Sequence, residues 1–185
     1  MIRKLLAGVA AVAVVAGGLY AGELKSGPQA GTKVPGPFHP LNVTGEDAGK
    51  KACLYCKAGG DPVVAIFARS ADDAKLQKLI AEIDAATQKN AKADMNSFVV
   101  FLSADDKLEG KLKKIAEDSK LKKVVLSIEA PEGPAKYNIA KDADVTVLMY
   151  TDHVVKANYA FEKGKITDKD ISAVVADVSK ILPTK

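Results

Sequence analysis

Three apolar runs of strand length, separated by segments with helical periodicity, constrain the fold of this chain more than any other feature. The runs cover residues 63–67, 98–102 and 124–128. Continuous apolar runs of this length are typical of strands buried on both faces of a parallel sheet. Between the first two, Leu76, Leu79, Ile80 and Ile83 recur at the spacing of one helix face. The pattern predicts a β-α-β-α-β arrangement whose parallel sheet is covered by helices.

Each predicted helix follows a residue that is able to cap its first turn. A Ser or Thr precedes an Asp by three residues at Ser70–Asp73, Ser103–Asp106 and Thr167–Asp170. This spacing resembles a capping box, in which each side chain bonds the backbone of the other residue. We therefore expect helices over about residues 71–88, after residue 106, and from residue 167 to the stop at Pro183.

A β-hairpin is predicted between the third run and the last helix. Residues 145–150 and 154–161 are rich in β-branched and aromatic residues, and Asp152-His153 lies between them as a turn. With the hairpin included, the predicted fold is a central mixed sheet flanked by helices.

The first 21 residues have the composition of an export signal. Arg3 and Lys4 precede the apolar run from residue 5 to residue 16, and small residues follow it. We expect the segment to be removed on export to the periplasm or the cell exterior. An uncleaved membrane anchor is the alternative, because residues 5–21 are long enough to approach the length of a membrane span.

The remainder of the chain is large enough for one domain. About 160 residues follow the signal, too few for two ordinary domains. Residues 22–37 are rich in Gly and Pro and are predicted to be a flexible tether, with the domain itself at 38–185. The net charge of +4 includes Arg3 and Lys4, and the other lysines alternate with acidic residues. No basic surface for nucleic acid is therefore indicated.

The two cysteines form a Cys-x-x-Cys pair, Cys53-Leu54-Tyr55-Cys56, directly before the first predicted strand. In an exported chain, two cysteines so close together favour a disulfide. Lysines at positions 50, 51 and 57 are near both sulfurs and would stabilise a thiolate. The pair is therefore compatible with a redox-active dithiol and also with a structural disulfide.

Metal or haem binding at the pair is a minor alternative. Covalent haem attachment needs a His directly after Cys-x-x-Cys, and Lys57 occupies that position. A metal would need further soft or imidazole ligands, and the only histidines are His39 and His153. His39 is the better candidate, because it lies in the same irregular segment as the cysteines. We expect no cofactor.

The order of these elements resembles the redoxin branch of the thioredoxin-like superfamily, which includes peroxiredoxins and exported thioredoxin-like proteins. The resemblance covers roughly residues 36–182. It is carried by Pro62-Val63-Val64-Ala65-Ile66-Phe67-Ala68-Arg69, Phe98-Val99-Val100-Phe101-Leu102-Ser103, Pro134-Ala135-Lys136-Tyr137-Asn138-Ile139 and Val145-Thr146-Val147-Leu148-Met149-Tyr150. It implies a thioredoxin-like fold and, with the cysteine pair, a redox function.

The usual catalytic positions of that family are replaced in this chain. Active members carry a cysteine in the turn after the first buried strand, where this chain has Arg69 and Ser70. Their cis-proline position falls on Val145, where a cis peptide bond is strongly disfavoured. Arg69 could instead bind an anion, or pair with Asp72 or Asp73. Arg69, Ser70 and Val145 therefore mark a degenerate family site, and the cysteine pair is predicted to lie at the opposite end of the sheet.

Two functions of different class remain. In the first, Cys53 attacks a disulfide of an exported protein or a redox partner, and Cys56 resolves the mixed disulfide. In the second, the domain is a non-catalytic binding or structural protein with a structural disulfide, and serine at both positions would leave its function intact. A membrane is a partner only if the N-terminal segment is retained.

Overall fold

The structure, a computed structural model, describes residues 24–184; the predicted signal segment lies outside them. Six strands and four α-helices follow one another along this part of the chain. They are β1 (Leu41–Asn42), α1 (Leu54–Ala58), β2 (Val63–Ala68), α2 (Ala74–Lys89), β3 (Asn96–Leu102), α3 (Leu108–Asp118), β4 (Val125–Glu129), β5 (Val145–Thr151), β6 (Val154–Phe161) and α4 (Asp168–Asp177).

The strands form one mixed sheet in the order β1-β4-β3-β2-β5-β6. β2 pairs with β3 and β3 with β4 in parallel, as the alternation of apolar runs and helices predicts. β5 lies antiparallel to β2, and its hairpin with β6 turns at Asp152 and His153, both with positive φ. The predicted thioredoxin-like arrangement of a mixed sheet flanked by helices is confirmed.

The core consists of one apolar layer on each face of the sheet. On one face, α2 and α4 contribute Leu76, Ile80 and Val174 to a cluster that also contains Leu112 of α3. On the other face, Phe38 and Tyr137 pack against Phe67, with ring centroids 6.0 and 5.6 Å from it. Side chains of β2 are buried on both faces because both layers are present, which accounts for its uninterrupted apolar sequence.

Two of the three predicted helix starts differ from the prediction. α2 begins at Ala74, where Asp73 accepts hydrogen bonds from the first turn, and Ser70 instead bonds the amide of Asp72. Ser103 likewise bonds the backbone two residues further on, and α3 begins without a side-chain cap. Serine makes such local turns as readily as caps, so the spacing alone does not separate the two. The capping box at α4 is confirmed.

Residues 24–37, predicted as a flexible tether, pack against the domain. The Ser26 side chain is 1% exposed and hydrogen-bonds the hydroxyl of Thr146 at 2.6 Å. The Gly31 amide donates to the Val155 carbonyl, the Val155 amide donates to the Thr32 carbonyl, and Val34 is buried. Hydrogen bonds to distant residues, not apolar periodicity, attach this segment, so the sequence pattern missed it. Among residues 24–184 no helix has the length and apolar character to cross a bilayer.

Candidate functional site

Cys53 and Cys56 form a disulfide at the start of the short helix α1, with their Cα atoms 5.2 Å apart. Cys53 is the N-cap residue and has an extended backbone conformation. Its Sγ accepts a hydrogen bond from the backbone N–H of Cys56 at 3.0 Å. A single helical turn therefore brings the two sulfurs together and supplies a backbone donor to one of them.

The two sulfur-bearing residues differ in their access to solvent. Cys53 is 8% exposed, whereas Cys56 is exposed on the outer side of α1. The predicted attack by Cys53 needs the opposite distribution, because the attacking sulfur must meet its partner first. The difference arises because α1 lies flat against the domain, with Ala58 and half-buried Leu54 facing inwards.

The disulfide lies at the amino end of β2, as predicted. Tyr55 of α1 packs against Tyr150 and His153, with ring centroids 6.3 and 5.0 Å from its own. Tyr150 pairs with Val63, the first residue of β2. Burial raises the pKa of the Tyr150 hydroxyl, and the neighbouring phenols Tyr137 and Tyr55 add to the rise. The floor beneath α1 is therefore aromatic.

Lys57, the lysine next to Cys56 in the sequence, pairs with carboxylates and not with a cysteine sulfur, in contrast to the predicted stabilisation of a thiolate. Lys57 forms ion pairs with Glu46, at 3.2 Å, and with Asp47. These carboxylates, Asp47 first, raise the pKa of Lys57. Its charge is thus neutralised by the segment before α1, and Lys50 and Lys51 are exposed.

Arg69 and Val145, which the sequence predicts to mark a degenerate family site, lie at the other end of β2. Ala68, the last residue of the strand, pairs with Val145, and Arg69 follows it. Six strand residues span about 20 Å, so this position is remote from the disulfide. The Arg69 guanidinium donates to three backbone carbonyls, those of Pro131, Ala140 and Ala143, at 2.9 to 3.2 Å.

No acidic side chain pairs with Arg69 within the part of the chain that the structure describes. Asp72 pairs with Lys111, and Asp73 caps α2. Arg69 instead holds the loop that leads into β5, and residues 24–184 contain no cis peptide bond at Val145 or elsewhere. Ser70 lies beside it, bonded to the amide of Asp72.

The histidines are not gathered around the cysteines as a ligand set. His39 is exposed, and the half-buried His153 packs its ring on Tyr55. Within residues 24–184 no group of three His, Cys, Asp or Glu side chains has a geometry that could hold a metal ion.

A polar cavity that sequence analysis missed lies beside α1. Its volume is about 160 Å³, and it extends from Leu54 and Lys57 to the first residues of β3. Asn42 of β1 lines it, is 1% exposed, and has no hydrogen-bond partner within residues 24–184 for either side-chain polar atom. The only sequence signal for this site is a polar residue in an otherwise apolar stretch.

Comparison with known proteins identifies the fold. No protein-family model matches the chain, and no curated protein matches its sequence. Among solved structures, an inferred protein disulfide isomerase from Bacteroides thetaiotaomicron is similar with a TM-score of 0.64 and 14% identity, over 86% of this chain and 94% of that one.

Two further solved structures support the same conclusion. An inferred thiol:disulfide interchange protein DsbE from Chlorobium tepidum has a TM-score of 0.61 and 16% identity, over 87% of this chain and 100% of that one. A thiol peroxidase from Chromobacterium violaceum has a TM-score of 0.60 and 11% identity, over 85% of this chain and 90% of that one. The fold is therefore that of the thioredoxin-like redoxins, and at these identities the similarity concerns the fold alone.

Proposed function

We propose that this protein is an exported thiol-disulfide exchange protein that acts through Cys53 and Cys56. The observation that carries the proposal is a Cys-x-x-Cys disulfide with one solvent-exposed end, Cys56, on a fold shared with redox proteins. An exposed sulfur is accessible to a partner's thiolate, which exchange requires. A disulfide that served only to hold the chain together would gain nothing from this exposure.

The partner is a thiol or disulfide of another exported protein. A thiolate attacks one sulfur of a disulfide, forms a mixed disulfide with it, and releases the other sulfur as a thiolate. The second thiolate of the reduced molecule then attacks the first sulfur of that molecule within the mixed disulfide, forms the new disulfide with it, and releases the remaining sulfur of the original disulfide as a thiolate. The net result is that one dithiol is oxidised while one disulfide is reduced, with no further cofactor.

Export is proposed from the N-terminal sequence. Arg3, Lys4 and the apolar run that follows them have the order of a signal segment. An exported location would also keep Cys53–Cys56 in an oxidising compartment, where disulfides persist. Fractionation of cells that express the full chain would place the protein in the periplasm or medium, or in the membrane if the segment is retained.

The reduction potential of the cysteine pair tests the proposed exchange function. The mature protein is equilibrated in glutathione buffers of graded ratio, and free thiols are alkylated and counted by mass spectrometry. We expect a value between roughly −120 and −270 mV, the range of exchange catalysts. A potential below about −300 mV is characteristic of structural disulfides and would refute the proposal.

A structural disulfide in a non-catalytic binding protein is the second candidate. The low exposure of Cys53, at 8%, favours it, because a buried half-disulfide resists reduction. On this view Cys53→Ser with Cys56→Ser leaves the biological function intact, whereas exchange activity is lost if the first proposal holds. Failure of both thiols to alkylate after reduction would instead indicate metal or haem at the pair.

A further inference from the structure

The accessibility of the two sulfurs indicates which of them reacts with a partner. Cys53 is 8% exposed and faces the domain, while Cys56 is exposed. Exchange requires the incoming sulfur to approach along the line of the disulfide, from the side opposite the bond that breaks. Because Cys53 is buried in the domain and Cys56 is exposed, an incoming sulfur meets less obstruction at Cys56 than at Cys53.

The hydrogen bond within the pair also distinguishes the two sulfurs, and it assigns them the same roles as their exposure does. The backbone N–H of Cys56 donates to Cys53 Sγ at 3.0 Å. A thiolate is stabilised by a donor of this kind more strongly than a disulfide sulfur is, because hydrogen bonds to a full charge are stronger. The donor therefore favours Cys53 as the sulfur that is released when the disulfide opens.

We propose that Cys56, not Cys53, forms the mixed disulfide with the partner, the reverse of the order predicted from sequence. A partner thiolate attacks Cys56 Sγ, a new sulfur–sulfur bond forms there, the Cys53–Cys56 bond breaks, and its electron pair goes to Cys53 as a thiolate. In the opposite direction the Cys56 thiolate attacks a partner disulfide, and Cys53 then attacks Cys56 Sγ and releases the partner's second thiolate. The proposal rests on the proposed exchange function.

Limited alkylation of the reduced wild-type protein tests this assignment without a variant. Iodoacetamide is added below one equivalent, and the modified peptide is identified by mass spectrometry. We expect Cys56 to be labelled at least about tenfold faster than Cys53, as its exposure dictates. The same experiment in denaturing urea is the control, where the two rates become similar. Equal rates in the folded protein, or faster labelling of Cys53, would overturn the assignment.

Two single variants provide a matched pair. Cys53→Ser retains the exposed sulfur and Cys56→Ser the buried one, and each is treated with oxidised glutathione. Cys53→Ser is expected to form the mixed disulfide with glutathione at least about tenfold faster than Cys56→Ser. The reverse order would refute the assignment. A reduction potential below the exchange range together with faster labelling of Cys56 would refute the exchange function alone, so the two failures are distinguishable.

Discussion

Arg69 illustrates how a single side chain at the end of a strand can hold a neighbouring loop. Its planar guanidinium reaches three carbonyls between 62 and 74 residues away in the sequence. Only arginine has the fork of donors for such an arrangement, because a lysine ammonium is a point charge on a flexible stem. Arg69 thereby connects the end of β2 to the loop before β5.

Replacing Arg69 is expected to reduce stability and leave disulfide exchange unchanged. Arg69→Ala leaves three carbonyls without their donor and should lower the free energy of unfolding by about 2 kcal/mol, since part of the site is exposed to water. Arg69→Lys should recover less than half of the loss. Urea denaturation measures the free energy of unfolding of each variant, and the rate of exchange with glutathione shows whether the exchange activity is unchanged. A large fall in exchange rate would assign a catalytic role to this end of the sheet.

Asp84 is a buried carboxylate that secures the turn before β4. It is 3% exposed, and its Oδ1 accepts from the backbone amides of Lys122, Lys123 and Val124 at 2.7 to 3.0 Å. Asp84→Ala would leave three amides without this acceptor and is expected to cost about 3 kcal/mol. Asp84→Asn keeps one acceptor oxygen and should cost less. Equal losses in thermal or urea unfolding would show that the charge, not the geometry, is what matters.

At the scale of elements, α4 is the helix whose start is most completely specified by local sequence. Thr167 Oγ1 accepts from the Asp170 amide at 3.2 Å, and the Asp170 carboxylate accepts from the Thr167 amide at 2.9 Å. These bonds to the Thr167 side chain and backbone lower the pKa of Asp170. The charged form of Asp170 is therefore favoured by folding.

The capping box predicts a pH-dependent contribution to stability. Because the pKa of Asp170 is lower in the folded state, its contribution is present above the ordinary Asp pKa and is lost as pH falls through the lowered value. Thr167→Ala should cost about 1 kcal/mol at neutral pH. The difference in melting temperature between wild type and Asp170→Asn should shrink below about pH 4. A difference that is constant down to pH 2 would contradict this.

At the scale of the whole molecule, the apolar layers on both faces of the sheet hold the domain together independently of the disulfide. The cysteines are only three residues apart, so the ring they close restricts the unfolded chain weakly. Most buried apolar side chains lie instead in the two clusters around β2 and β3. The domain should therefore remain folded when the disulfide is reduced, as an exchange protein must.

The Cys53→Ser, Cys56→Ser double variant is expected to lose only about 2 kcal/mol of unfolding free energy relative to the oxidised protein. This is the loop-closure contribution expected for so short a ring. Urea titrations followed by circular dichroism measure it, with the reduced wild type as the matched control. A loss above about 5 kcal/mol, or an unfolded variant, would favour the structural-disulfide function.

Much of the fold could be predicted because long elements carry periodic patterns. β2, β3 and β4 appear as apolar runs and α2 as a helical stripe, so their order and parallel pairing follow. The two-residue β1 and five-residue α1 were missed, because elements this short contain no full period. The packing of residues 24–37 was missed for a related reason: it depends on Ser26 and its partner Thr146, 120 residues away.

The sequence by itself determined the order of strands and helices and the spacing of the two cysteines, since both are properties of neighbouring residues. Only the tertiary structure decided that Cys53 is buried and Cys56 exposed, that Arg69 donates to three backbone carbonyls, and that the Asn42 side chain has no partner within residues 24–184. The physical reason is that solvent exposure and long-range hydrogen bonds depend on residues far apart in the chain, whose meeting no local pattern records.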